Sequence, residues 1–289
     1  MPTSLMRLFF AFALFAVLAA PQVQAQWHPD TAYVLVRSDD LGMNHAVNQA
    51  NTMLADSGLP FSASVMFVAS WYLEAVEMLR EHPEVAVGVH LTLNAEWHWP
   101  RWGPITGTVA APSLVDSTGY FHAGWDGLFA GEGPHLDEVE AELRAQIERA
   151  LQTDLPIHYI DAHMGAAQGT PELRALTERL ADAYGLGISG TYEENSFSIY
   201  AVAPEAKPDS LLARLARLTP GQVHLLVSHL GLETREMQAL TDQNPGGLAD
   251  VATHRHAEWQ ALTDPRLQAW MRTAPVRFIT YADLLRRQP

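Results

Sequence analysis

The chain has 289 residues, no cysteine, and 33 acidic against 18 basic side chains, a formal charge of −15. The missing cysteines exclude disulfide staples and thiolate metal sites, so a bound metal must rest on His, Asp or Glu. The acidic balance argues against nucleic acid and anionic membranes as partners and favours a neutral or cationic ligand.

Residues 1–25 read as a secretory signal peptide. Arg7 supplies a positive charge, residues 8–20 are almost wholly apolar, and Val23-Gln24-Ala25 fits a small-residue cleavage site. The protein is therefore expected to be exported, to the periplasm or beyond. No second apolar run of spanning length follows, so no integral membrane segment is expected after cleavage.

Residues 26–289 are expected to form a single domain. A strand over 33–37 leads to a helix over 44–56, with Asn44 as cap and Val47, Ala50, Met53 and Leu54 at helical spacing. A strand over 62–68, a helix over 71–81 and a β-branched strand over 85–89 follow. Next come an amphipathic helix over 137–152, capped by Asp137, and a short strand over 157–160. A helix over 170–184 has Thr170 as cap and Pro171 at its first position. A weak strand over 187–190, a helix over 210–218, a strand over 223–227, a strand over 276–279 and a helix over 281–287 complete the order.

This alternation predicts an α/β fold with mostly parallel strands. Polar residues recur at the carboxyl ends of several strands, which favours a distorted (β/α) barrel over a doubly wound open sheet. The stretch at about 94–136 breaks the rhythm. It is rich in Gly, Pro and Trp and is too long for an ordinary connection, the mark of a functional loop.

The chemistry gathers at the strand ends. Asp39 and Asp40 follow the first apolar run. Adjacent carboxylates resist joint ionisation and desolvation adds to the cost, so the pair implies a cation, with one Asp as ligand and the other free for proton transfer. His90 ends the third strand, Asp161-Ala162-His163 the next, and Ser228-His229 a later one. A lone strand-end His is more often a core residue, and a lone Asp more often a cap. The joint pattern on one rim points instead to a divalent ion.

Other candidates compete with plainer duties. His45 suits solvation or capping as well as substrate contact, and His28, His82, His135 and His158 read as structural or exposed. Arg255, between His254 and His256, reads more readily as part of a solvated helix face than as a site residue. Trp97 and Trp99 read equally as loop anchors or as a stacking wall for sugar rings.

Together these residues carry a resemblance. Ser38-Asp39-Asp40-Leu41-Gly42 with Ala46-Val47-Asn48 resembles the opening motif of the YdjC/ChbG-like carbohydrate deacetylases. Gly88-Val89-His90-Leu91-Thr92-Leu93 is similar to their second motif and Ile160-Asp161-Ala162-His163 to their third. Arg255-His256-Ala257-Glu258, Leu262 and Phe278-Ile279-Thr280-Tyr281 are similar to their C-terminal pattern.

The resemblance implies a distorted (β/α) barrel that removes N-acetyl groups from amino sugars such as chitooligosaccharides. It implies one divalent ion, zinc ahead of magnesium, manganese, cobalt, nickel or iron. Asp40, His90 and His163 become the expected ligands and Asp39 the base. His229 is the candidate acid, and Asp161 is expected to orient a ligand or His229. Trp97, Trp99 and Arg255 are candidates for contact with the substrate or the ligands.

Two departures stand out. Met164-Gly165-Ala166 replaces further histidines after the third motif, and His229-Leu230-Gly231 replaces His-Pro-Gly. The alternatives are metal-dependent hydrolysis of a phosphoester, hydrolysis of a glycoside, and a non-catalytic exported sugar-binding protein. For a phosphoester the cations near the motifs are few: Arg37, Arg101 and Arg255. The expected partner is a small carbohydrate. The oligomeric state is open, with a homodimer as one option.

Overall fold

The computed structural model describes residues 28–287, and the expected signal peptide lies outside the described residues. The strands are β1 (Ala32–Leu41), β2 (Ser62–Val65), β3 (Ala86–Leu91), β4 (Ile157–Ala162), β5 (Gly187–Ile188), β6 (Asn195–Ser198), β7 (Val223–Ser228) and β8 (Val276–Ile279). They pair in parallel in the order β5-β4-β3-β2-β1-β7-β6. β8 lies against Ala32–Leu35, on the edge of β1 that β2 takes over from Arg37 onward. Among the described residues no ladder joins β5 to β6, so the sheet curls into a half-barrel without closing. This is the distorted barrel expected from the sequence.

β1 is apolar on both faces because both are covered. Val34 and Val36 pack outward with Val47, Ala50 and Leu54 of the helix His45–Asp56. Tyr33 and Leu35 point inward to a smaller cluster with Tyr159, Leu225, Ile279 and Tyr281. Gly88 makes room for that inner layer. A Cβ there would fall 2.4 Å from the ring of Tyr159, its register partner on β4.

Asn44 caps the first helix by accepting the Val47 N–H, and Thr170 caps Pro171–Tyr184 in the same way. Asp137 is not a cap. The helix Leu136–Leu151 starts earlier, at His135, and leaves Asp137 and Glu138 in its first turn, where the helix dipole favours carboxylates. The helix expected over 210–218 is also shifted and runs over Lys207–Leu215. Neither β6 nor the helix Pro265–Met271 is apparent in the sequence, and of the helix Val251–Thr263 only the part around Arg255 is. β6 is short and polar. Val251–Thr263 lacks a clear apolar stripe because it turns Arg255 and Glu258 inward. Among the described residues no helix is long and apolar enough to cross a membrane.

Candidate active site

On a regular strand, neighbouring side chains point to opposite faces. Asp39 and Asp40 nonetheless line one pocket. The register of β1 on β2 shifts between Ser38 and Leu41, and Asp40 takes a left-handed backbone with φ of 68°. Asp tolerates that region better than most non-glycine residues. The pair thus lies inside β1, at a bulge, rather than beyond its end. Gly42 follows with φ of 88°, where a Cβ would sit 2.9 Å from Tyr72 Cα. Asn48 Oδ1 accepts the Gly42 N–H at 2.8 Å, and its amide donates to the Trp71 carbonyl and to Glu74. Asn48 therefore pins the chain as it leaves the bulge.

Asp40, His90 and His163 converge, all nearly fully buried. Asp40 Oδ1 lies 3.3 Å from His90 Nε2 and 3.2 Å from His163 Nδ1, and the two ring nitrogens are 3.1 Å apart. Donors bound about 2.0–2.2 Å from one ion in tetrahedral geometry stand roughly 3.3–3.6 Å from each other. The observed triangle fits one face of such a polyhedron. Asp40 Oδ1 is also buried without a hydrogen bond of good geometry, a lone pair left for a cation.

The far nitrogen of each imidazole meets a carboxylate. His90 Nδ1 is 3.0 Å from Asp161 Oδ2, and His163 Nε2 is 2.8 Å from Glu96 Oε2. Such partners fix the tautomer that presents a lone pair to a metal. Of its two expected partners, Asp161 meets His90. Glu96, on the loop after β3, is, like Tyr200 and Asp242, a pocket residue outside the set expected from the sequence. Its only signal is an acid set among apolar and aromatic neighbours just beyond His90.

Charge supports the same conclusion. Asp39, Asp40, Glu96 and Asp161 are opposed by Arg37 and Arg255, which leaves two negative charges in a buried cluster. A divalent cation would balance them. Without one, two protons can do so. Burial would lower His163, but Glu96 and Asp40 hold it up at about 9. Burial is likewise outweighed at His90, which Asp161 and Asp39 raise well above its ordinary value. At Asp40, burial opposes ionisation, but Arg255 with His163 and His90 keeps the carboxyl well below the usual range.

Asp39 is held by an arginine. Arg37 clasps both its oxygens at 2.7 Å and reaches Asp161 at 3.1 Å and Ser189 at 2.7 Å. His229 follows β7, with Nε2 3.9 Å from Asp39 Oδ2 and its ring against Tyr200.

Arg255 corrects the expectation of a solvated face. It is 2% exposed, donates to Asp40 Oδ2 at 2.7 Å and lies over Trp97, 5.4 Å from its ring centre. Trp97 is buried beneath it in the pocket wall. Trp99 is 66% exposed, packs edge-on against His98 and does not line the pocket.

The pocket measures about 150 Å³ and also takes in Met164 and Asp242. A cavity of about 510 Å³ opens at the other end of the strands, among Phe61, Pro83, His158 and Thr280. It holds none of the strand-end carboxylates and neither His90 nor His163.

The family model described as YdjC-like protein matches residues 33–273. A carbohydrate deacetylase of Thermus thermophilus is 34% identical over 250 residues, covering 78% of this chain and 87% of that protein. One from Brevibacillus brevis is 24% identical and covers 87% and 99%. A crystal structure from Enterococcus faecalis, of a protein provisionally described as a cellobiose-phosphate cleavage protein, superposes with a TM-score of 0.71. That match is at 23% identity over 88% of this chain and 99% of that one, and it bears on the fold alone. With its bulged aspartate pair and strand-end histidines inside the matched span, the chain belongs to the YdjC-like family.

Proposed function

We propose that this protein removes N-acetyl groups from amino sugars, of the chitooligosaccharide type, with one divalent metal ion. The observation that carries the reading is the Asp40–His90–His163 triangle with Asp39 and His229 beside it in one pocket. The relatives named carbohydrate deacetylases support the reaction class. Asp40, His90 and His163 would hold the ion. Two nitrogens and one oxygen suit zinc first, and also iron, cobalt, nickel, manganese or magnesium. When bound, the ion supplies Lewis acidity, polarising an acyl oxygen and easing deprotonation of a nearby water.

The chain's own residues do the rest. Asp39, held in place by Arg37, takes a proton from the water that adds to the acyl carbon. His229 gives a proton to the sugar nitrogen as the C–N bond breaks, so acetate and a free amine leave. The pocket has room for an acyl group and the edge of a sugar ring, with the remainder of an oligosaccharide outside. Export to the periplasm or beyond is part of the proposal and rests on residues 1–25. N-terminal sequencing of the mature protein tests it.

The rivals fit less well. An anionic phosphoester needs a free cation, but Arg37, Arg101 and Arg255 are already held by Asp39, Asp116 and Asp40. A glycosidase needs one protonated carboxyl, yet Asp39 and Asp161 share a guanidinium. Burial pushes Asp161 up, but Arg37 and His90 outweigh it and keep it low. The deciding experiment incubates N-acetylglucosamine oligomers with metal-loaded and chelated protein. Acetate release that chelation abolishes is expected. Reducing ends without acetate would indicate a glycosidase, and binding without products a sugar-binding protein.

A further inference from the structure

Lys207 and Glu258 form an ion pair at 3.1 Å in which both side chains are 0–1% exposed. Stability alone does not account for it. Burying an ion pair is often no better than burying apolar side chains of the same volume. Lys207 also stands at the first position of its helix, where the dipole disfavours a cation. The pair does have a full set of partners, and those partners lead to the pocket. The Lys207 ammonium donates to the Ile199 and Tyr200 carbonyls at 2.7 Å each. Glu258 Oε1 takes its remaining proton, while Oε2 accepts the His229 backbone N–H at 2.8 Å. Tyr200 and His229 both line the pocket, with ring centres 5.2 Å apart.

We infer that Lys207 and Glu258 are positioning residues that hold His229 and Tyr200 as one unit beside Asp39. The inference rests on the reading of His229 as proton donor. The loops after β6 and β7 have no ladder of their own to fix them past Ser198 and Ser228. The ion pair ties both to the helix Val251–Thr263, which also delivers Arg255 to Asp40. One helix thereby sets the donor and the ligand in a common frame.

The test is a double-mutant cycle on metal-loaded protein, following acetate release. A glutamine has one acceptor oxygen, so Glu258→Gln cannot serve both Lys207 and the His229 N–H. It is expected to lower kcat on the order of tenfold to a hundredfold, with KM and metal content unchanged. In a His229→Ala background the same change should cost nothing further, because the group it positions is gone. An equal further loss in that background would mean a merely structural role and overturn the inference. Unchanged turnover in Glu258→Gln, with His229→Ala inactive, would overturn it and leave the reading of His229 intact. Full turnover in His229→Ala would remove that reading and the inference with it. If Glu258→Gln does not fold, the double variant Lys207→Met with Glu258→Gln, which removes both charges together, takes its place.

Discussion

The two sides of the pocket are built by different means. The side that carries Asp40, His90 and His163 rests on β1, β3 and the end of β4, which parallel ladders through β2 join into one sheet. His90 pairs in register with Asp161, and Asp40 sits in a bulge between paired positions. The side that carries Tyr200 and His229 rests on loops beyond β6 and β7, where side-chain tethers and scattered backbone bonds such as Leu232 N–H to the Ala46 carbonyl replace a ladder. Rigid backbone suits an ion that tolerates little error in donor spacing. On the proposed function, tethered loops suit groups that meet an oligosaccharide.

The sharpest way to break this comparison is to exchange the roles of the two aspartates. Asp40→Asn is expected to abolish metal retention, measured by elemental analysis, and to leave only the turnover of chelated protein. Asp39→Asn should keep one ion per chain and lose about 10²- to 10⁴-fold in kcat. The opposite pattern would show that the roles are assigned backwards. Glu96→Gln tests the support behind His163, and a tenfold to hundredfold weaker metal affinity is expected by competition with a chelator.

A smaller effect separates the two sides by pH. His163 is raised in the folded, metal-free protein from an ordinary 6.5 to about 9, so the folded state holds the extra proton. That contribution is complete below 6.5 and is lost as pH rises through about 9. It is on the order of 3 kcal/mol from this residue. Thermal melts of metal-free protein should therefore fall across that window, while metal-loaded protein, whose imidazoles are already deprotonated, should change far less. The smallest effect expected is that of Trp99→Ala. KM for short oligomers should move less than about twofold, because the ring lies outside the pocket and exposed positions rarely matter. A large rise would restore the stacking wall.

The strand-end side of the pocket is legible because strand ends are. An apolar run stopping at Asp or His, repeated along the chain, maps onto one rim once the strands are parallel. Asp39, Asp40, His90, Asp161 and His163 stand out that way as candidates, and only the resemblance tells Asp40 from Asp39 as the expected ligand. The bulge was not legible, since one extra residue in a strand leaves no clear periodic mark. Glu96 hid in a loop, where no period applies. Arg255 was misread because its helix carries charge on its inner face. Lys207 sits opposite Glu258 only through tertiary contact, far away in sequence. Trp97 and Trp99 look alike in sequence, yet one lies beneath Arg255 and the other faces solvent.

Arg37 bears on how such a site could be moved. Its guanidinium binds Asp39, Asp161 and Ser189, and Ser189 in turn shares a hydrogen bond with Tyr281, which also donates to Glu194. The interior of the half-barrel is therefore polar at its upper level and apolar only below, around Tyr33, Leu35 and Leu225. Grafting Asp40, His90 and His163 onto another scaffold would import the proposed ligands without their counter-charges. The smallest portable module includes Arg37, Asp39, Asp161, Ser189 and Tyr281, and a host barrel with an aliphatic centre would have to give up part of its own core to accept it.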